Sequence, residues 1–401
     1  MPGPLSGVRI LDMTTVVMGP FATQILADLG ADVIKIETRE GDNMRHVGPF
    51  RSPGMGHIFL HAGRGKRSLV LDLKAPEGRE ALLRLAAGAD VLVYNVRPQA
   101  MARLGLAYED VRQANPRIIY VGAYGYGQRG PYAAKPAYDD LIQGAGGVPA
   151  LFREQGNPTP RYAPVTLADR LTGLHVVYSV NAALFHRERN GRGQSVEVPM
   201  FESVVQFVLG DHMGGETFDP PLGPPGYARL LAEHRRPYAT KDGHVCVLIY
   251  NDKQWKSFFA AIGDPDKMQR DARFATHSNR AAHIGEVYAY VAEVMETRRT
   301  AEWLELFEAA DIPAAPMNTM ADLLAHPQLE GVGFFQWEDH PTEGRIRRMG
   351  VPTSWSDSQP TPGGPAPHLG ENSREVLREA GYSDAEIDAL LAKGVTAESG
   401  R

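Results

Sequence analysis

The sequence predicts an α/β fold, a parallel sheet with helices over its faces, interrupted by a smaller α+β insert. Apolar runs alternate with helix-spaced segments through the first 125 residues, which is the pattern of repeated strand-helix-strand units. A glycine- and proline-rich stretch then leads to a hairpin signal and further helices. The length, 401 residues, exceeds what one small core needs and suits two domains or one domain with an insertion.

"VRILDM" (8–13) reads as a buried strand, and the segment after it carries Phe21, Ile25, Leu26 and Leu29 at helical spacing before Gly30. "DVIKIE" (32–37) is a second strand and "SLVLDL" (68–73) a third. "PEGREALLRLAAGA" is a helix opened by Pro76, a residue suited to the first turn. "DVLVYN" (90–95) and "RIIYVGAYG" (117–125) are the fourth and fifth strands. The stretch 214–230 reads as a linker or long loop, and Lys241-Asp242-Gly243 as a hairpin turn. "NRAAHIGEVYAYVAEVMET" and "TAEWLELFEAA" are helical, and a proline-rich connection leads to a final helical pair. The second of that pair opens with Ser383 and Glu386 at capping-box spacing. The predicted domains are 1–215, 226–325 and a C-terminal part, 326–401.

Several functions are disfavoured. After the first strand comes "TTVVMGPFA" with Gly19 alone, not the G-x-G-x-x-G of a dinucleotide site. "GRGKR" (63–67) lacks the spacing and the final Ser/Thr of a P-loop. The net charge of −6 argues against a nucleic-acid partner. Cys246 is the single cysteine, so no disulfide frame or cysteine-based metal site is expected, and its apolar neighbours suggest a core thiol. The start lacks signal-peptide features, and no apolar run approaches the ~20 residues of a membrane helix. The expectation is a cytoplasmic enzyme without membrane contact.

The stretch 167–194, "LADRLTGLHVVYSVNAALFHRERNGRGQ", poses the chemical question. Asp169 stands at the entrance of a long, mostly apolar helix. As a helix cap it would accept free backbone N–H groups and suit the positive end of the dipole, worth ~1 kcal/mol. As a nucleophile it would stay ionised at the helix mouth and lose hydration in a dry pocket, becoming able to attack an acyl group. Gly173 costs about 1 kcal/mol against alanine inside a helix, and close approach of a backbone or ligand is the usual compensation. "QGAGG" (143–147) reads equally well as a simple loop or as a source of backbone N–H groups for an oxyanion. His175 reads as a satisfied core residue.

These segments, in this order, resemble the family III CoA-transferases of the CaiB/BaiF type, which include formyl-CoA and carnitine CoA-transferases. The resemblance runs from "PLSGVRILDMTTVVMGPFATQILADLGADVIKIE" through "GHIFLHAGRGKRSLVLDLKAPEGREALLRL", "DVLVYNVRPQAMARLGLAYEDV" and "PAYDDLIQGAGG". It continues through "DRLTGLHVVYSVNAALFHRERNGRGQSVEVPM" to "LGENSREVLREAGYS", loosely over the insert. It implies that the acid opening D-x-x-T-G, here Asp169 with Thr172 and Gly173, carries the acyl group and then CoA. It implies no permanently bound cofactor, no metal, and coenzyme A or acyl-CoA as substrate with a free carboxylic acid. The implied CoA-binding residues are Val17 and Met18 beside the nucleotide, Leu71, Asp72, Leu73 and Lys74, then Asn95, Val96 and Arg97 around the adenosine. Arg103 is implied at a phosphate. Thr38 stands where the family has an arginine, with Arg39 next to it. Lys135, Tyr138 and Asp139 match a segment at the pantetheine or acyl end.

The resemblance further implies a large domain built from both chain ends, a smaller domain inserted between them, and an interlocked homodimer. Two other readings stay open. A 2-methylacyl-CoA racemase needs a base on each side of an α-carbon, and this chain has Tyr138 where that subgroup has histidine. A non-catalytic CoA-binding homologue is the other. Arg229, Arg235 and Arg236 point to a small dicarboxylate such as succinate as one of the acids.

Overall fold

The computed structural model describes residues 3–399, and the chain divides into two compact units. The first comprises the chain up to Gly146, Ala163–Gln206, and the chain from Pro327 onward; the second comprises Gly147–Tyr162 and Phe207–His326.

The first unit is built on six strands: β1 (Arg9–Met13), β2 (Asp32–Glu37), β3 (Lys66–Val70), β4 (Val91–Tyr94), β5 (Ile119–Tyr124) and β6 (Gln194–Pro199). Their order is β3-β2-β1-β4-β5-β6, and every neighbouring pair is parallel. The order reverses between β1 and β4, and open α/β sheets place ligands outside the carboxyl ends of the strands at such a point. Five strands match the apolar runs of the sequence, although β3 starts earlier than expected and takes in Lys66. The sixth was not expected. β6 is an edge strand bonded only to β5, so its sequence QSVEVP carries polar residues where inner strands carry an apolar run.

The last two helices, Ser373–Glu379 and Asp384–Ala392, place Val376, Leu377, Ile387 and Leu390 in one core with Leu69, Leu82, Leu92 and Tyr120. The capping box at Ser383 forms: the Glu386 carboxylate accepts from the Ser383 N–H at 2.7 Å. An antiparallel hairpin, Phe335–His340 with Gly344–Met349, was absent from the sequence reading.

In the second unit, Tyr238–Ala239 pairs antiparallel with His244–Val247 across the expected turn, and Ala314–Pro316 adds a third strand. Its core is aromatic, with Trp255, Phe258, Phe259, Phe274, Trp303 and Phe307 buried together. Trp303 satisfies its indole N–H on the Met295 carbonyl at 2.7 Å. Cys246 is half-buried rather than a core thiol. Among the described residues no helix is long and apolar enough to cross a membrane.

Candidate active site

The turn after β1 sits at the reversal point and is held from every side. Val16 has φ +71°, in the left-handed region that a β-branched residue rarely enters, at a cost of ~1–3 kcal/mol. Its N–H donates to Asp42 Oδ1 at 3.1 Å. Thr15 donates to Asn95 Oδ1 at 3.0 Å and accepts from Asn95 Nδ2 at 2.8 Å, so the end of β4 clasps the turn. Lys35 Nζ donates to the Thr14 carbonyl at 2.8 Å. Beneath lie three buried ion pairs, Lys66–Asp12 (2.9 Å), Lys35–Asp42 (2.9 Å) and Arg45–Glu37 (2.7 Å). Burial alone would raise the Asp12 pKa. The charges of Lys66 and Lys35 and the hydroxyls of Thr14 and Thr23 more than offset it, holding the carboxyl well below the usual range.

Asp169 lies in the first turn of the long helix Leu167–Asn190 but does not cap it. The N-cap position is Thr166, which makes no side-chain cap bond. The Asp169 N–H instead donates to Asp139 Oδ1 at 3.0 Å, so an acid 30 residues upstream does the capping. The other Asp139 oxygen accepts from Gln143 Nε2 at 2.6 Å. Gln143 in turn donates to the Val165 carbonyl and accepts from the Ala163 N–H, stitching the approach to the helix in place.

The Asp169 carboxylate is thereby left without a hydrogen-bond partner among the described residues, in a site where the residue is only 9% exposed. The site makes the ionised form of Asp169 costlier than a helix mouth alone implies. Burial, then the like charge of Asp139, push its pKa up to about 7, with Arg170 pulling the other way. Gly173 lies in the second turn, and a Cβ there would come within 2.9 Å of the Met18 carbonyl. The missing side chain lets the helix Met18–Asp28 lie against the long helix, which ties Asp169 to the turn at the sheet reversal.

The remaining expected residues fall into separate groups. Leu73, Lys74 and Arg103 line one cavity of about 520 Å³ together with Arg79, which sequence reasoning missed. Arg79 donates to the Gly105 carbonyl at 3.0 Å; its signal was its place in the helix directly after "LDLK". Leu71 is a core residue, and Asp72 accepts from the Lys74 N–H at 3.0 Å. Val17 and Met18 have buried side chains, so only their main chain is available to a ligand. Val96 and Arg97 are exposed, and Arg97 reaches the Ala134 carbonyl at 3.4 Å. Arg39 donates to the Gly394 carbonyl at 3.0 Å and lines a different cavity, beside His46 and His368. Lys135 stacks over the Tyr132 ring at 3.4 Å, and Tyr138 is exposed. "QGAGG" is no loop: its first three residues end the helix Asp139–Ala145, and Gln143 acts through its side chain. His175 is half-buried beside Tyr178 rather than a bonded core residue, and burial lowers its pKa.

A family model described as CoA-transferase family III matches residues 5–373. The chain is 31% identical over 399 residues to a succinyl-CoA:glutarate CoA-transferase of Homo sapiens, covering 98% of this chain and 90% of that protein. It is 33% identical over 386 residues to a succinate–glutarate CoA-transferase of Agrobacterium fabrum, covering 94% and 95%. Among solved structures, a CaiB/BaiF family protein from Brucella suis superposes with TM-score 0.80 at 31% identity, covering 95% of this chain and all of that one.

Proposed function

The chain belongs to CoA-transferase family III, and from that premise we propose that it moves CoA from an acyl-CoA to a free carboxylic acid, with a small dicarboxylate such as succinate or glutarate on one side. The similarity to two enzymes named for succinate and glutarate supports the acid class. The observation that carries the reading is the unpartnered, mostly buried Asp169 carboxylate, whose helix is capped by another acid.

Asp169 Oδ attacks the thioester carbonyl, the C–S bond breaks, and CoA leaves as thiolate. The thiolate attacks the aspartyl carbonyl of the mixed anhydride, expelling the donor acid and leaving CoA on Asp169 as a thioester. The acceptor carboxylate attacks that thioester and releases the thiolate again, giving a second anhydride. The thiolate then attacks the acceptor's carbonyl, forming the new acyl-CoA and returning the Asp169 carboxylate. Charge is conserved through the cycle, so no net proton is consumed. Each carboxylate attack draws on the ionised form of Asp169 or of an acid held out of water.

The CoA contacts belong to the same proposal. Lys74, Arg79 and Arg103 offer cations to phosphate around one cavity, with Leu73 as an apolar wall. The Val17–Met18 main chain and the Asn95–Arg97 segment lie at the sheet reversal, where the nucleotide end is proposed to lie. Arg39, Lys135, Tyr138 and Asp139 remain proposed contacts, Asp139 with its capping role in addition. The domain ranges 1–215, 226–325 and 326–401, the cytoplasmic location and an interlocked homodimer are proposed with it. Leu174, Tyr178 and Phe185 support the dimer, because they form an exposed apolar stripe along the long helix that a second copy would cover.

Mixing the protein with succinyl-CoA and glutarate, and reading CoA esters by mass spectrometry, tests the proposal. Glutaryl-CoA is expected, together with a hydroxylamine-sensitive adduct on Asp169 that Asp169→Ala abolishes. Unchanged turnover in Asp169→Ala would overturn the nucleophile. Absence of transfer with any dicarboxylic acid would overturn the substrate class.

A further inference from the structure

Arg229, Arg235 and Arg236 converge on one cavity of about 340 Å³ in the second unit. None of the three pairs with a carboxylate among the described residues. Arg229 is oriented by donating Nε–H to the Tyr288 hydroxyl at 3.1 Å, and Arg236 Nη2 lies 3.5 Å from His234 Nδ1. Three guanidiniums gathered at one cavity without an acid form a site of unspent positive charge. Apolar side chains, Val247, Leu248, Ile249 and Trp255 among them, line the same cavity. A forked cation above an apolar wall suits an anion with a short hydrocarbon body better than a bare phosphate. The volume sits at the small end of ligand cavities, which run ~300–1,000 Å³.

We propose that this cavity binds the free carboxylate of a short dicarboxylic acid. The inference rests on the reading that the acid exchanged is dicarboxylic, and it assigns that selectivity to Arg229, Arg235 and Arg236. A carboxylate there takes paired N–H donors from one guanidinium while its methylene chain lies on the apolar wall. Removing two of these cations loses charge-assisted hydrogen bonds to the carboxylate.

The cavity carries its own reporter. Cys246 lines it, and it is the single cysteine of the chain. Alkylation of Cys246 by N-ethylmaleimide in the full-length protein is expected to slow roughly tenfold at glutarate concentrations ten times its Kd, by simple occupancy. Pentanoate, of equal length with one carboxylate, is expected to protect far less. In the double variant Arg235→Met, Arg236→Met, glutarate protection is lost at the same concentration, and the KM for glutarate in transfer rises about ten- to hundredfold. Both side chains are exposed, so the variant keeps its fold, which its melting temperature verifies. Unchanged labelling in the presence of glutarate, or protection that persists in the double variant, overturns the proposal. Labelling needs no turnover. A protected but inactive protein therefore counts against the transferase reading alone, and an active, unprotected one against the cavity alone.

Discussion

Asp12 and Asp169 are both buried carboxylates of the first unit, 0% and 9% exposed, and their surroundings are opposite. Asp12 lies against the Lys66 ammonium at 2.9 Å and accepts from Thr14 and Thr23, so its charge is fully answered. Asp169 is buried to a similar degree, faces the charge of Asp139, and is answered by nothing closer than the field of Arg170. Burial penalises the charged form at both sites; partners decide the outcome, holding one acid ionised and lifting the other to about 7. A charge that only holds the fold together is neutralised where it stands. On the proposed role of Asp169, a charge kept for chemistry stays uncompensated, and the protein carries the instability.

The largest expected effect is on the neutralised side. Asp12→Asn leaves Lys66 buried without its counter-charge, and the protein is expected to lose ~3–5 kcal/mol in urea unfolding at neutral pH. Its midpoint would shift strongly at unchanged slope. An unchanged midpoint would remove the distinction between the two acids.

The same measurement on Asp169→Asn should go the other way. The folded-state pKa of Asp169 is raised above the ordinary 3.8, so the native protein holds a proton that the unfolded chain has released. The contribution of Asp169 to stability is therefore undiminished below pH ~4, falls as pH rises toward about 7, and is level above that. Asparagine does not titrate. The variant is expected to gain ~2–4 kcal/mol over wild type at pH 8, relative to the difference at pH 4. A pH-independent difference would mean that Asp169 is ionised at little cost.

Gly173→Ala comes next. Its Cβ would press on the Met18 carbonyl at 2.9 Å, and backbone yields poorly. A loss of ~1–3 kcal/mol is expected from the forced separation of the two helices. Adduct formation on Asp169 is expected to slow as well, because the helix that carries the acid is displaced from the turn.

What the sequence made legible follows from the range of the forces involved. The inner strands β1, β2, β4 and β5 were readable because strands buried on both faces of a parallel sheet appear as apolar runs, and the edge strand β3 because its end, Ser68–Val70, is buried as well. β6 and the 335–349 hairpin were not, since their polar residues alternate with apolar ones at an exposed edge or in a separate pair of strands. Asp169 stood out by its place at a helix start, yet that position suggested a cap. Only the folded chain shows Asp139 taking the N–H, a bond across 30 residues that no local spacing announces. The same holds for Lys66, whose segment the sequence distinguishes only from a P-loop and which β3 buries against Asp12.

Asp139→Asn offers the finest test, because it separates the two causes of the raised Asp169 pKa. The asparagine oxygen can still accept the Asp169 N–H, so the helix start is kept. The amide nitrogen then meets Gln143 Nε2, donor against donor, and a small loss of stability is expected there. The like charge disappears while burial, the larger cause, remains. The pH midpoint for adduct formation from succinyl-CoA is therefore expected to fall below that of wild type and to stay above the ordinary carboxylate value of 3.8. Single-turnover rates measured from pH 3 to 8 read both limits. A midpoint that does not move would leave burial as the whole cause. A midpoint that falls all the way to 3.8 would mean that Asp139, rather than exclusion of water, keeps Asp169 protonated, and the contrast with Asp12 would then be one of charge arrangement alone.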